Sequence, residues 1–212
     1  MQTNLYQITP DDQPALAEIG ALLRAGGLIG IPTETVYGLA ANALDGQAVA
    51  KIFQAKGRPQ DNPLIVHIAA FSQLYPLVGE VPTQAIRLAR AYWPGPLTMI
   101  LPKSPAIPEE VSAGLDTVAV RMPSHPLARA IIQAAGVPLA APSANLSGSP
   151  SPTTAQHVLA DMAGRIQAVV DGGPCSVGVE STVVTLASPC PRLYARAALR
   201  RSSCAPYSAR WK

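Results

Sequence analysis

The feature that most constrains this chain is an alternation. Short apolar runs of β-type residues, each closed by glycine, proline or a polar cluster, take turns with stretches whose apolar residues recur at helical spacing. Leu28-Ile29-Gly30-Ile31, Leu64-Ile65-Val66-His67-Ile68, Leu97-Thr98-Met99-Ile100-Leu101 and Thr117-Val118-Ala119-Val120-Arg121-Met122-Pro123 read as strands. So do the runs 137–142, 168–171 and 181–186. Helices fit between them. Asp11 and Asp12 cap the first, which carries Leu16, Ile19, Leu22 and Leu23 on one face and stops at Gly26-Gly27. Others fit 47–55, 82–93, 126–135 and 153–162. About seven strands interleaved with five or six helices predict an α/β fold, a twisted open mixed sheet flanked by helices.

Composition agrees with one well-packed domain in a 212-residue chain: 48% of residues are hydrophobic and only 14% charged. No apolar run approaches the roughly 20 residues that span a bilayer, so no membrane partner is expected. The N-terminus lacks the cationic start and apolar block of a signal peptide, which predicts a cytoplasmic protein. Cys175, Cys190 and Cys204 are too few and too far apart for a disulfide framework or a zinc site. A net charge of +3 suits anionic ligands, while 5% aromatic residues argue against base-stacking platforms.

Polar residues gather where strands begin or end. Lys56-Gly57-Arg58-Pro59-Gln60-Asp61-Asn62-Pro63 leads into the run that delivers His67, and its two cations suit phosphate or carboxylate oxygens. Ser143-Ala144-Asn145-Leu146-Ser147-Gly148 follows the 137–142 run. Thr33-Glu34-Thr35-Val36-Tyr37 follows Pro32, as a pocket lining or a capped turn. His67 reads either as a core imidazole or as a pocket donor, and Arg121 inside an apolar strand requires an anion. Residues 102–116 read as a surface loop, and 172–180 as an irregular glycine-rich loop. The chain has no phosphate loop of the Gly-x-x-x-x-Gly-Lys type, no Gly-x-Gly-x-x-Gly, no Gly-x-Ser-x-Gly and no His-Glu-x-x-His. Cys175 has no adjacent cation to make it a thiolate. Lys, Arg, Ser, Thr and Asn at strand ends point instead to phosphoryl or nucleotidyl chemistry, where Mg²⁺ accompanies the nucleotide.

Taken in order, Pro32-Thr33-Glu34-Thr35-Val36-Tyr37-Gly38-Leu39, Lys56-Gly57-Arg58-Pro59 with Asn62-Pro63-Leu64 and His67, Trp93-Pro94-Gly95-Pro96-Leu97-Thr98, Val120-Arg121-Met122-Pro123, Ala141-Pro142-Ser143-Ala144-Asn145-Leu146-Ser147-Gly148 and Glu180-Ser181-Thr182-Val183-Val184 resemble the YrdC/TsaC family. The likeness covers residues 10–195, the expected catalytic domain, with 196–212 left as a basic, disordered or loosely docked tail. It implies L-threonylcarbamoyladenylate synthase activity, a nucleotidyl transfer. L-Threonine, bicarbonate and ATP with Mg²⁺ give threonylcarbamoyl-AMP and pyrophosphate, for the N6-threonylcarbamoyl group on adenosine 37 of tRNAs reading ANN codons. Lys56, Arg58, Ser143 and Asn145 match the family's Lys-x-Arg and Ser-x-Asn signature and stand as the catalytic set. By the same likeness Arg58, Asn62, Thr117, Ser143, Ser151 and Arg196 hold ATP, while Thr35, His67, Arg121, Ala141 and Ser181 surround threonine. No resident metal site is implied. The expected partners are tRNA-threonylcarbamoyl transferase proteins downstream, with weak tRNA contact. The tail departs from the family pattern after Leu193, and the chain ends before the extra C-terminal domain of the long form, so it resembles the short form.

Two other readings compete. One is a non-catalytic double-stranded RNA or tRNA-binding paralogue, favoured by the basic tail and opposed by the few aromatics. The other is a paralogue serving a different carbamoyl or adenylate reaction, against which the intact Lys56 and Ser143 signature counts.

Overall fold

A computed structural model describes residues 2–188 and 192–195. Among these residues ten strands form one mixed sheet: β1 (Asn4–Gln7), β2 (Ile29–Ile31), β3 (Gly38–Asn42), β4 (Ile65–His67), β5 (Leu97–Pro102), β6 (Thr117–Arg121), β7 (Leu139–Ala140), β8 (Ala168–Asp171), β9 (Thr182–Thr185) and β10 (Arg192–Ala195). Their order is β1-β8-β2-β3-β7-β4-β6-β5-β9-β10. The expected α/β class stands, and the expected strand number is corrected from about seven to ten. The additions are β1, β3 and β10. Gly38-Leu39-Ala40-Ala41-Asn42 lacks the β-branched residues that mark a strand, yet it is nearly all buried and pairs antiparallel with both β2 and β7. β1 and β10 are short strands at the two sheet edges, where pattern signals are weakest.

Helices cover both faces. On one, α1 (Gln13–Arg24) and α5 (Pro126–Ala135) bury Leu16, Ile19, Leu23, Leu127, Ile131 and Ile132 against Ile29, Ile31 and Val170. On the other, α2 (Gly46–Lys56), α3 (Thr83–Tyr92), α4 (Glu109–Ser112) and α6 (Ala155–Met162) pack Val49, Ile52, Phe53, Leu88, Val111 and Val158 against Val66, Met99, Val120 and Val184. The 102–116 segment is thus more than a surface loop: α4 interrupts it, and Ile107 and Val111 enter the core. Asp12 caps α1 through the Ala15 amide. Asp45 caps α2 through Gln47 and Ala48, and Gly57 at φ 63° closes it. Among the described residues no helix is long and apolar enough to cross a membrane.

Where α1 crosses α5, glycine is a steric requirement. A Cβ on Gly20 would lie 2.4 Å from the Ala134 carbonyl oxygen. Gly20→Ala is expected to lower stability by about 2 kcal/mol, because forced separation of the helices outweighs a gain of about 1 kcal/mol in helix propensity. A thermal melt checks this, with a fall in Tm of roughly 4–8 °C for a chain of this size.

Candidate active site

α1 and α5 lie over the β2-β3-β7 part of one face, and the β4-β6-β5-β9 part of the same face carries the polar residues. Register sets them side by side: His67 opposes Arg121, Arg121 opposes Thr98, and Thr98 opposes Val183. Directly opposed residues share a face, so one row crosses four strands. The next row is Ile65, Ala119, Ile100 and Thr185, and Thr117 lies beyond it at the start of β6. Ile65, Ala119 and Ile100 stay partly exposed and form an apolar floor. Thr117 and Arg121 are separated by roughly 13 Å along one strand at about 3.3 Å per residue.

Loops roof the polar row. The segment after β2 brings Glu34 and Thr35 onto Arg121: Glu34 Oε1 lies 2.7 Å from Arg121 Nη2, and Arg121 Nη1 donates to Thr35 Oγ1 at 2.8 Å. Arg121 Nε donates to the carbonyl of Gly95, in the turn after α3, at 3.3 Å. Arg121 is 4% exposed and Glu34 5%. Glu34 and Arg121 thus form a buried ion pair, and the backbone amides of Glu34 and Ser124 also support the carboxylate. Burial opposes ionisation of Glu34, but the charge of Arg121 outweighs it and holds the carboxyl below its usual range. Thr33 Oγ1 and Thr35 Oγ1 lie 3.0 Å apart, and Thr98 Oγ1 is 2.7 Å from Ser181 Oγ.

His67 is buried at the end of β4. Its Nδ1 donates to the Ile65 carbonyl at 3.2 Å, which leaves Nε2 as an acceptor, and the same carbonyl accepts from the Ala141 amide at 3.0 Å. Burial, reinforced by the charge of Arg121, pushes its pKa down to about 3. The folded chain therefore binds fewer protons than the unfolded chain between pH 6.5 and about 3, and Glu34 acts in the same direction below its ordinary value of 4.5. Stability is expected to be complete above pH 6.5 and to fall as pH drops through that window. Urea midpoints measured against pH check this, and His67→Gln is expected to flatten the slope.

A second cluster joins α2 to the loop after β7. Lys56 Nζ donates to the Ser143 carbonyl, to the Asn145 carbonyl at 2.7 Å and to Asn145 Oδ1 at 3.5 Å. Asn145 Nδ2 donates to Leu146 O and Ser149 O, and the Ser147 amide returns to Lys56 O. Burial lowers the Lys56 pKa to about 8, with Arg58 adding to the effect and Asp161 opposing it. Lys56 thus spends its donors on the Ser-x-Asn backbone. Arg58 is the more accessible cation; it stacks over Phe53 at 5.7 Å and donates to Asn62 O at 3.2 Å.

The structure brings Thr35, His67, Arg121, Ala141 and Ser181 together around the polar row, and Lys56, Ser143 and Asn145 at the adjoining loop. Arg58 and Asn62 lie on the exposed turn before β4. Ser151 Oγ donates to Glu180 Oε1 at 2.8 Å, linking two loops. Arg196 lies outside the described residues, as do the 196–212 tail, Cys190 and Cys204. Cys175 is free, and burial pushes its thiol up to about 11, as unsuited to nucleophilic work as its sequence context implied. Tyr37 does not line the site: its hydroxyl donates to Gly173 O at 2.7 Å and fixes the 172–180 loop. Sequence reasoning placed Glu34 only within a segment read as a pocket lining or a capped turn, and it passed over Thr98, whose signal was a lone hydroxyl within the apolar run Leu97-Thr98-Met99. Among the described residues no group of three or more His, Cys, Asp or Glu could hold a metal ion.

The chain resembles known proteins over most of its length. The Sua5/YciO/YrdC family model, described as "Telomere recombination", matches residues 21–198. Threonylcarbamoyl-AMP synthase of Bacillus subtilis is 57% identical over 183 residues, covering 86% of this chain and 53% of that protein. The enzyme of the same name from Vibrio cholerae is 39% identical over 152 residues, covering 71% of this chain and 81% of its own length. The structure of Sua5 from P. abyssi complexed with L-threonine superposes with a TM-score of 0.94 at 46% identity, covering all of this chain and 63% of that one. The chain thus spans about half the length of the B. subtilis protein and four fifths of the V. cholerae protein.

Proposed function

The chain belongs to the Sua5/YciO/YrdC family, and we propose that it is an L-threonylcarbamoyladenylate synthase. It joins L-threonine, bicarbonate and ATP into threonylcarbamoyl-AMP with release of pyrophosphate and water, a nucleotidyl transfer in the cytoplasm. The observation that carries this reading is a two-part face. A buried guanidinium paired with Glu34 stands beside neutral His67 and the Thr98–Ser181 hydroxyls, and the same face continues as a partly exposed apolar floor to Thr117. The first part suits an amino acid's carboxylate and hydroxyl, the second a purine ring. The names of the B. subtilis and V. cholerae relatives and the threonine bound by the P. abyssi protein support it.

In this reading Arg121 clamps the threonine carboxylate, with Thr35, His67, Ala141 and Ser181 around the amino acid. Arg58, Asn62, Thr117, Ser143 and Ser151 hold the nucleotide, and Arg196 is carried as a nucleotide contact by resemblance alone. Lys56 and Asn145 shape the loop that presents the Ser143 hydroxyl. Mg²⁺ would arrive on the triphosphate, since it keeps most of its waters and takes substrate phosphate oxygens with few protein ligands. It would neutralise phosphate charge while Arg58 and the Ser143 loop orient the α-phosphorus. The adenylate would pass to tRNA-threonylcarbamoyl transferase proteins, with tRNA itself contacted weakly.

Labelled bicarbonate, supplied with ATP and L-threonine, is expected to appear in an adenylate that chromatographs apart from AMP. Label that never leaves bicarbonate would overturn the reading. Arg58→Ala is expected to raise the KM for ATP at least tenfold with threonine binding changed less than threefold. Arg121→Ala reverses that pattern, and steady-state kinetics in both substrates checks the crossover.

A further inference from the structure

We infer that Thr98 is a positioning residue for the amino-acid substrate: it fixes the Ser181 hydroxyl as a hydrogen-bond donor, without touching the substrate itself. The inference rests on the proposed function, in which Ser181 lies beside threonine, and deepens it. Thr98 belongs to neither the threonine set nor the ATP set that the resemblance carries over. It is a lone hydroxyl in β5, fully buried, and its Oγ1 lies 2.7 Å from Ser181 Oγ. In the sheet it opposes Arg121 on β6, the residue that clamps the carboxylate in this reading.

The pair has a direction. Distance alone allows either hydroxyl to donate, but Thr98 has no exposed surface and, among the described residues, Ser181 Oγ is the one acceptor its proton reaches. A buried donor left without an acceptor is costly, so Thr98 donates and Ser181 accepts. Ser181 therefore keeps its own proton. Thr35, the other hydroxyl of the threonine set, does not. Thr33 Oγ1 donates to the Val36 carbonyl at 2.6 Å, so the 3.0 Å contact between the two threonines takes the Thr35 proton, and Thr35 Oγ1 accepts from Arg121. The two hydroxyls thus differ in role, and Ser181 is the donor. A hydroxyl that accepts one hydrogen bond also donates a stronger one. The backbone at this point is held independently: the Thr182 amide donates to the Pro96 carbonyl at 2.9 Å, and β9 pairs with β5 over 97–100. What the Thr98 hydroxyl adds is the orientation of one side chain, where the exposed 176–180 segment meets the sheet.

The test uses two substitutions that separate hydroxyl from shape. Thr98→Val keeps the branched shape and removes the hydroxyl, whereas Thr98→Ser keeps the hydroxyl and removes a buried methyl group. Calorimetry on the full chain is expected to show L-threonine binding weakened about fivefold in Thr98→Val, the size of one lost hydrogen bond, and less than about twofold in Thr98→Ser, with ATP binding changed less than about twofold in both. A role in packing alone predicts the reverse order, because valine fills the site and serine leaves a cavity; that order, or equal effects, overturns the inference. Ser181→Ala completes a cycle. With the serine hydroxyl gone, Thr98→Val is expected to change threonine binding no further, and additive losses overturn a role exerted through Ser181. Should Thr98→Val not fold, Thr98→Cys, a far weaker donor, takes its place with the same outcomes. A wild-type chain that binds no threonine would instead overturn the proposed function itself.

Discussion

Arg121→Ala is expected to cost about 3–5 kcal/mol of folding stability as well as threonine binding, because it strands the Glu34 carboxylate in the interior. Glu34 is buried, and Arg121 is the charge that holds its carboxyl below the usual range. The alanine also leaves the Gly95 carbonyl and Thr35 hydroxyl without their donor. Removing both charges is a different matter, since a buried ion pair contributes far less net stability than the loss of one partner suggests. The double variant Arg121→Met, Glu34→Gln is therefore expected to regain most of the lost stability while remaining unable to bind threonine. Urea midpoints at unchanged m-value read the stability, and calorimetry reads the binding. A double variant no more stable than Arg121→Ala would show that the pair is not the source of the loss.

Lys56→Met is expected to disable ATP use while leaving the fold standing. The thioether keeps the apolar stem but removes the ammonium that donates to the carbonyls of Ser143 and Asn145. Each carbonyl left without a donor in a buried setting costs about 1–3 kcal/mol, offset in part because the buried ammonium no longer has to be desolvated. A net loss of about 2 kcal/mol is expected, concentrated in the Ser143 loop. Hydrogen exchange should quicken at Leu146 and Ser147, whose amides are bonded to Asp161 and to the Lys56 carbonyl, while α1 and α5 exchange as before. ATP affinity should fall at least tenfold, because the Ser143 hydroxyl loses its fixed position.

The two clusters differ in how far the linear chain reveals them. Lys56, Arg58, Ser143 and Asn145 stand out because turn-forming residues and polar side chains interrupt apolar runs, and those signals are local. The α/β class was legible for the same reason, since most strands carry β-branched runs and most helices carry an apolar stripe. β3 was not, because Gly38-Leu39-Ala40-Ala41-Asn42 owes its strand conformation to pairing on both sides rather than to its own propensity. The polar row escaped as a unit for a related reason. His67, Arg121 and Thr98 are neighbours only through the β4-β6-β5 register, and nothing local states that register. Each was visible singly, as a histidine, an arginine or a hydroxyl inside an apolar run. Glu34 was visible only as one polar residue among several, and its pairing with Arg121 is a product of the fold.

Pyrophosphate release tests the central claim most directly. Folded protein with ATP and Mg²⁺ is assayed with L-threonine and bicarbonate each added or omitted. Release that requires both substrates is the predicted result, because the carbamate formed from them is the group that attacks the α-phosphorus. Release that ignores threonine, or none under any combination from folded protein, would contradict the synthase reading.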